Sequence, residues 1–113
     1  MKTDCYAALS ATTPLVPFHC ERRDLRSHDV HIQILFCGVC HSDLHTARNE
    51  WKSTVYPCVP GHEIVGRVVG VGKEVRSFTI GQRVAVGCMV DSCRRCSSCK
   101  EHLEQYCENG AVS

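Results

Sequence analysis

Long apolar runs are missing from this chain. Nothing in it approaches the roughly 20 residues that a helix needs to span a bilayer. The opening MKTDCYAALSATTPL has no unbroken apolar core ahead of a small-residue cleavage site. A cytoplasmic protein with no membrane partner is therefore expected. An excess of one charge is missing too. Lys+Arg 13 against Asp+Glu 12 leaves a formal +1, which gives no electrostatic footprint for nucleic acid. There is no internal repeat, low-complexity tract or evident linker, and 113 residues make one domain that buries roughly two thirds of its unfolded surface. A complete Gly-x-Gly-x-x-Gly is also absent: Gly70-Val71-Gly72 begins the pattern and Val75 ends it, so these residues carry no dinucleotide fingerprint.

Sulfur and imidazole are what the chain has in excess, with ten cysteines and seven histidines. A short secreted chain of this cysteine density reads as a disulfide scaffold; in a reducing cytosol, thiols crowded this closely read as metal ligands. Cys5, Cys20, Cys58 and Cys88 are expected to be inert buried thiols. Cys93, Cys96, Cys99 and Cys107 form C-x2-C-x2-C-x7-C. Thiolates two residues apart turn back on one tetrahedral ion, and four close its coordination sphere, so a structural zinc is expected. The segment between Asp91 and Cys107 is polar apart from its cysteines and has nothing with which to build a core. Metal binding on the order of 10–16 kcal/mol is enough to order such a lobe. An iron–sulfur cluster is the rival, but its bacterial run continues x3-C-P, whereas here seven residues intervene and Glu108 follows. A nucleic-acid knuckle is the third reading; Arg94 and Arg95 would serve it, but Glu101, Glu104 and Glu108 cancel them.

Taken in order, the chain reads as mostly β. A strand is expected on either side of the turn near Pro14 and Pro17. Val30, Ile32, Ile34 and Phe36 alternate with His31, Gln33 and Leu35, the period of a strand with one well-buried face. A short helix is expected over HSDLHTAR, then strands over Val65–Val71 and Arg83–Met89, with Gly66, Gly70 and Gly72 where a strand must bend and pack tightly. The sum is mainly β with short helices, consistent with a small barrel.

Three readings compete at Cys40. Strand, Cys37-Gly-Val-Cys40, then helix is the setting of a thioredoxin-like redox pair, which needs a parallel βαβ sheet. His41 and His45, spaced i, i+4, make no complete zinc motif, since HSDLH lacks the glutamate of H-E-x-x-H. The third reading joins Cys40 to His62 and Glu63 as an open zinc site, with Asp43 as a carboxylate that orients His62 and fixes its tautomer.

GHEIVGRVVGVGKEV matches G-H-E-x2-G-x5-G-x2-V, the signature of zinc-containing alcohol dehydrogenases. CGVCHSDLH with YPCVPGHE resembles the cinnamyl-alcohol-dehydrogenase branch of the medium-chain dehydrogenases, which includes bacterial aldehyde reductases. The likeness runs from about Val30 through Cys107, and the four-cysteine lobe falls where that family holds its structural zinc.

That resemblance implies a GroES-like, partly open β-barrel with short helices and a zinc-binding cysteine lobe. Residues 1–113 would be the N-terminal catalytic domain, incomplete, with the lobe at about 91–108 and the Rossmann domain absent. It implies catalytic zinc at Cys40, His62 and Glu63, and structural zinc at Cys93, Cys96, Cys99 and Cys107. It further implies Ser42 at the alcohol oxygen, His45 further along the proton path, and His41 beside the pyrophosphate of NADP, or of NAD. The implied reaction interconverts primary alcohols and aldehydes by hydride transfer, in a homodimer when the enzyme is intact. Trp51 and Tyr56 are candidate walls of a pocket for apolar substrates, ordinary loop packing being the alternative. Gln82 departs from the family's usual aspartate, which bears on a turn rather than on chemistry. Neither the family's third catalytic cysteine nor its dinucleotide-binding domain has a counterpart in these residues; without a means to bind the hydride carrier, the chain alone is expected to be inactive. A non-enzymatic, zinc-stabilised β module is the alternative.

Overall fold

The computed structural model describes residues 1–112. Two antiparallel sheets make up the scaffold. Strands β1 (Lys2–Ala7) and β2 (Val16–Glu21) pair with each other across a turn tied by Ser10 and Thr13, whose hydroxyl accepts the Ser10 amide at 3.0 Å. Pro17 is tolerated because the β1–β2 ribbon has two strands only among the described residues, which leaves the other side of β2 without a ladder to donate to. Strands β3 (Val30–Gly38), β4 (Glu63–Val71) and β5 (Arg83–Val86) form the second sheet in that order. Helix α1 (His41–Ala47) follows β3, and the cysteine lobe holds α2 (Ser97–Lys100) and a 3-10 turn (Glu104–Tyr106). Among the described residues no helix is long and apolar enough to cross a membrane.

The strands fall where the alternation put them, with adjusted ends. β4 begins two residues early, so Glu63 is a strand residue opposite Gly38. β5 stops at Val86, short of Met89, because the ladder to β4 ends at the Ile64–Val86 pair. The expected single buried face of β3 is not seen. The register slips between His31 and Ile32 and again between Ile34 and Phe36, which breaks the strict period of two. Phe36 is 72% exposed, and Ile34 and Leu35 are exposed with it. Among the described residues only Ala7, Ala8, Val68 and Cys99 are buried and apolar, so the core is small and most apolar side chains are half-buried or exposed.

Two of the three singled-out glycines allow close approach. A Cβ on Gly66 would lie 2.4 Å from Ile32 Cγ2 and 2.5 Å from the Gln33 carbonyl oxygen, and one on Gly72 would meet the Arg26 and Ser27 carbonyls at 2.2 and 2.3 Å. Gly70 would make ordinary contact only. Gln82, the departure from the family pattern, holds a turn: its side-chain oxygen accepts the Thr79 amide at 3.2 Å.

Candidate metal centres

Three elements converge at the end of the β3–β4 ladder. Cys40 caps α1, His62 precedes β4, and Glu63 opens it. One donor atom from each lies within 4.8 Å of the others. Asp43, one turn into α1, fastens the group. Its Oδ2 accepts the Cys40 backbone N–H at 3.0 Å, and its Oδ1 is 3.1 Å from His62 Nδ1. A carboxylate only accepts, so Nδ1 carries the proton and the Nε2 lone pair is left for a metal. Nε2 lies 3.9 Å from Glu63 Oε1. The space that Glu63 occupies exists because residue 38 is glycine: a Cβ there would come within 2.5 Å of Glu63 Oε2.

The electrostatics match a cation site. The Cys40 thiol is held below its ordinary value, first by the Ser42 backbone N–H, then by the Ser42 hydroxyl and His62. His62 is raised, chiefly by Cys40 and further by the charge of Asp43, against the opposing effect of desolvation. A negative sulfur beside a proton-holding imidazole is the arrangement in which a divalent ion replaces the proton. Zinc fits this donor set of one sulfur, one nitrogen and one carboxylate, which leaves a fourth position open.

The lobe offers a second and different set. Cys93, Cys96, Cys99 and Cys107 bring four sulfurs within 4.8 Å. Cys93 Sγ accepts the amides of Arg95 and Cys96 at 3.4 and 3.3 Å, and Cys107 Sγ accepts the Cys93 amide at 3.4 Å. The Arg95 amide, then the Asn109 side chain and the Cys96 amide, hold the Cys93 thiol down at about 5. Cys99 behaves oppositely. Although the Ser92 hydroxyl lowers it, burial and contact with Cys96 and Cys107 push it up to about 11. Four sulfurs this close do not all ionise unless a cation neutralises them, and a closed tetrahedral zinc does that.

The remaining candidates fall around α1. Ser42 Oγ is 3.7 Å from Cys40 Sγ. His45 sits one turn further, its Nδ1 3.2 Å from Glu50 Oε2 and its ring centroid 5.2 Å from that of Trp51. His41 is exposed at the first residue of α1, its ring 6.2 Å from His45. The Tyr56 hydroxyl donates to the Ala47 carbonyl at 2.7 Å, so its polar end secures the loop to α1. Trp51 is 58% exposed against His45. The parallel βαβ setting that a redox pair at Cys37 and Cys40 requires is not what is found; every strand pair described is antiparallel. The inert-thiol expectation fails for Cys88, which is exposed because β5 has already ended, and Cys5, Cys20 and Cys58 are only half-buried. Glu50, Gly38, Ser92 and Asn109 carry no signal in the sequence. Only their partners in space give them a role, and Glu50, five residues from His45, follows no helical spacing.

The profile of the family described as the alcohol dehydrogenase GroES-like domain matches residues 26–113. The chain belongs to that family. The aldehyde reductase YahK of Escherichia coli is 55% identical to this GroES-like domain over 109 residues, covering 96% of the chain and 31% of the relative. The NADP-dependent alcohol dehydrogenase C of Mycobacterium tuberculosis is 57% identical over 106 residues, 94% of the chain and 31% of the relative. Among solved structures, a cinnamyl alcohol dehydrogenase of Sorghum bicolor superposes with a TM-score of 0.91 at 46% identity, over 96% of this chain and 31% of that one. A Helicobacter pylori cinnamyl alcohol dehydrogenase in complex with NADP(H) gives 0.91 at 45%, over 98% and 32%. The chain thus spans about a third of the length of the proteins it matches.

Proposed function

We propose that these residues are the metal-binding part of a zinc-dependent, NADP(H)-linked enzyme that interconverts primary alcohols and aldehydes. The observation that carries this is Asp43, which holds Cys40 and His62 in one geometry with the imidazole Nε2 turned free. Cys40, His62 and Glu63 would hold the catalytic zinc, and the four lobe cysteines a structural one. Zinc at the first position supplies Lewis-acid polarisation of an alcohol or carbonyl oxygen. Ser42 presents its hydroxyl beside Cys40 and would meet that oxygen. His45 has its Nδ1 proton committed to the Glu50 carboxylate, so its Nε2 is the atom free to take or return a proton. The Trp51 ring lies against the same imidazole, tilted 36° to it. NADP is named for the Mycobacterium tuberculosis relative and NADP(H) for the Helicobacter pylori structure, and His41 is the residue here offered to the carrier's pyrophosphate. Reduced thiols at two such centres suit a cytoplasmic protein.

Metal analysis of the purified chain tests this reading. Two zinc ions per chain are expected, one lost with Cys40→Ser and the other with Cys96→Ser. One ion, insensitive to Cys40→Ser, would favour a zinc-stabilised module without catalytic metal. The chain alone is expected to oxidise no NADPH in the presence of aldehyde, since it lacks a complete dinucleotide fingerprint; measurable turnover would overturn that part.

A further inference from the structure

Cys5 and Cys20 lie outside both metal centres and enter no step described above. The β1–β2 register sets Thr3 opposite Cys20 and Cys5 opposite Phe18. Directly paired residues, and residues two apart, share a face of the ribbon, so the two cysteines are diagonal neighbours on its half-buried side. Cys5 leans across toward β2, its Sγ donating to the Phe18 carbonyl at 3.4 Å. Desolvation, then contact with the Cys20 side chain, raise the Cys5 thiol. Diagonal Cα atoms in a flat pair stand about 7–8 Å apart, beyond the roughly 4.4–6.8 Å that a disulfide spans. A two-stranded ribbon twists more than a wide sheet, which draws one diagonal together. Among the described residues β1 and β2 form a sheet of two strands only, free to twist in this way, and the Cys5 thiol already reaches across to the β2 backbone at Phe18.

We propose that Cys5 and Cys20 form a reversible disulfide, a thiol-oxidation site that takes a low-molecular-weight disulfide such as oxidised glutathione as its oxidant. One protein thiolate attacks a glutathione sulfur, forming a mixed disulfide and releasing one glutathione thiolate. The second protein thiolate then displaces the other glutathione. Two protein thiols lose two protons and two electrons, and the glutathione disulfide becomes two glutathione thiols. The link also reaches beyond the hairpin. Ala8, next after β1, exchanges two backbone hydrogen bonds of 2.8 and 2.9 Å with Cys58, in the loop that leads to His62.

The test uses the zinc-loaded 113-residue chain carrying Cys37→Ser and Cys88→Ser, which removes the two exposed thiols. It is equilibrated with oxidised and reduced glutathione, quenched with acid and mapped by mass spectrometry. The expected product is a Cys5–Cys20-linked peptide pair, two hydrogens lighter than the reduced pair, reversed by dithiothreitol and absent in Cys5→Ser and in Cys20→Ser. Amide exchange across β1 and β2 should slow by about tenfold or more on oxidation. Glutathione left singly on either residue, both thiols unmodified under oxidising buffer, or links to other cysteines would each overturn the proposal. An equal yield of the same link in urea would show that the fold does not create the site, and would overturn it as well.

Discussion

Replacing Asp43 isolates the contribution of one carboxylate to metal affinity. In Asp43→Ala the Cys40 backbone amide and the His62 Nδ1–H both lose their acceptor. Hydrogen bonds to a charged group are each worth about 1.5–3 kcal/mol, but the Cys40 amide can turn to water, so only part of the sum is felt. His62 loses more, because its ring orientation and the tautomer that frees Nε2 both rest on Asp43. Losing such a partner costs about 10–100-fold in metal affinity, or about 1.4–2.7 kcal/mol. Asp43→Asn should lie between. Its amide oxygen can accept from one of the two donors, and its NH2 then faces the other, so a loss of about tenfold is expected. Competition for zinc against a chromophoric chelator reads the affinities, and cobalt substitution separates the all-sulfur site from the mixed one by its absorption. The lobe should keep wild-type affinity in both variants. Affinity at the Cys40 site within twofold of wild type in Asp43→Ala, or an equal loss at both sites, would refute the reasoning.

Gly38→Ala should weaken the same site through Glu63, since the added Cβ would sit 2.5 Å from its Oε2 and 3.1 Å from its Cβ; cobalt spectra should change at this site and not at the lobe. Gly66→Ala should cost about 1–3 kcal/mol or more in urea unfolding, because the Gln33 carbonyl in its path is backbone and β3 must shift. Gly87→Ala, with nothing within 4 Å, should stay within about 0.5 kcal/mol. In metal-free chain at pH 6, iodoacetamide should modify Cys93 well before Cys99, and Cys93 should lose its reactivity as pH falls through about 5. The matching stability terms have opposite signs. The lowered Cys93 thiol stabilises above its unfolded value of 9.0, and that contribution is lost as pH falls through about 5. The raised Cys99 thiol stabilises below 9.0, and its contribution is lost as pH rises through about 11. Equal labelling of the two would sink this account of the lobe.

What could be read from the sequence was whatever local pattern determines. The alternation from Val30 to Phe36 located β3, and the cysteine spacing located the lobe. Gly66 and Gly72 announced close backbone approach correctly. The bulges in β3 did not announce themselves, since a slipped register is a property of two strands and not of one. Gly38 gives no signal for the same reason: its role depends on facing Glu63 across the ladder. Glu50 reaches His45 through a turn that no helical spacing describes, and Cys5 and Cys20 come together only through hairpin pairing.

The two donor sets differ in what holds them before any metal arrives, and this separates their roles. Cys40, His62 and Glu63 stand on a sheet register and a helix cap, and Asp43 ties the two parts without help from an ion. Such a site is organised in advance and would leave a bound zinc a position to spare, as the proposed catalysis requires. The lobe has a four-residue helix, a single 3-10 turn, and a neck closed by the Asp91–Val112 bridge. Its one buried apolar side chain among the described residues is Cys99, itself a prospective ligand. Where the only buried apolar side chain is a donor, a bound metal would add its binding energy directly to the stability of that segment. A chelator should therefore sharply lower the stability of the lobe while the β3–β4–β5 ladder persists, and emptying the Cys40 site should change chemistry without changing fold.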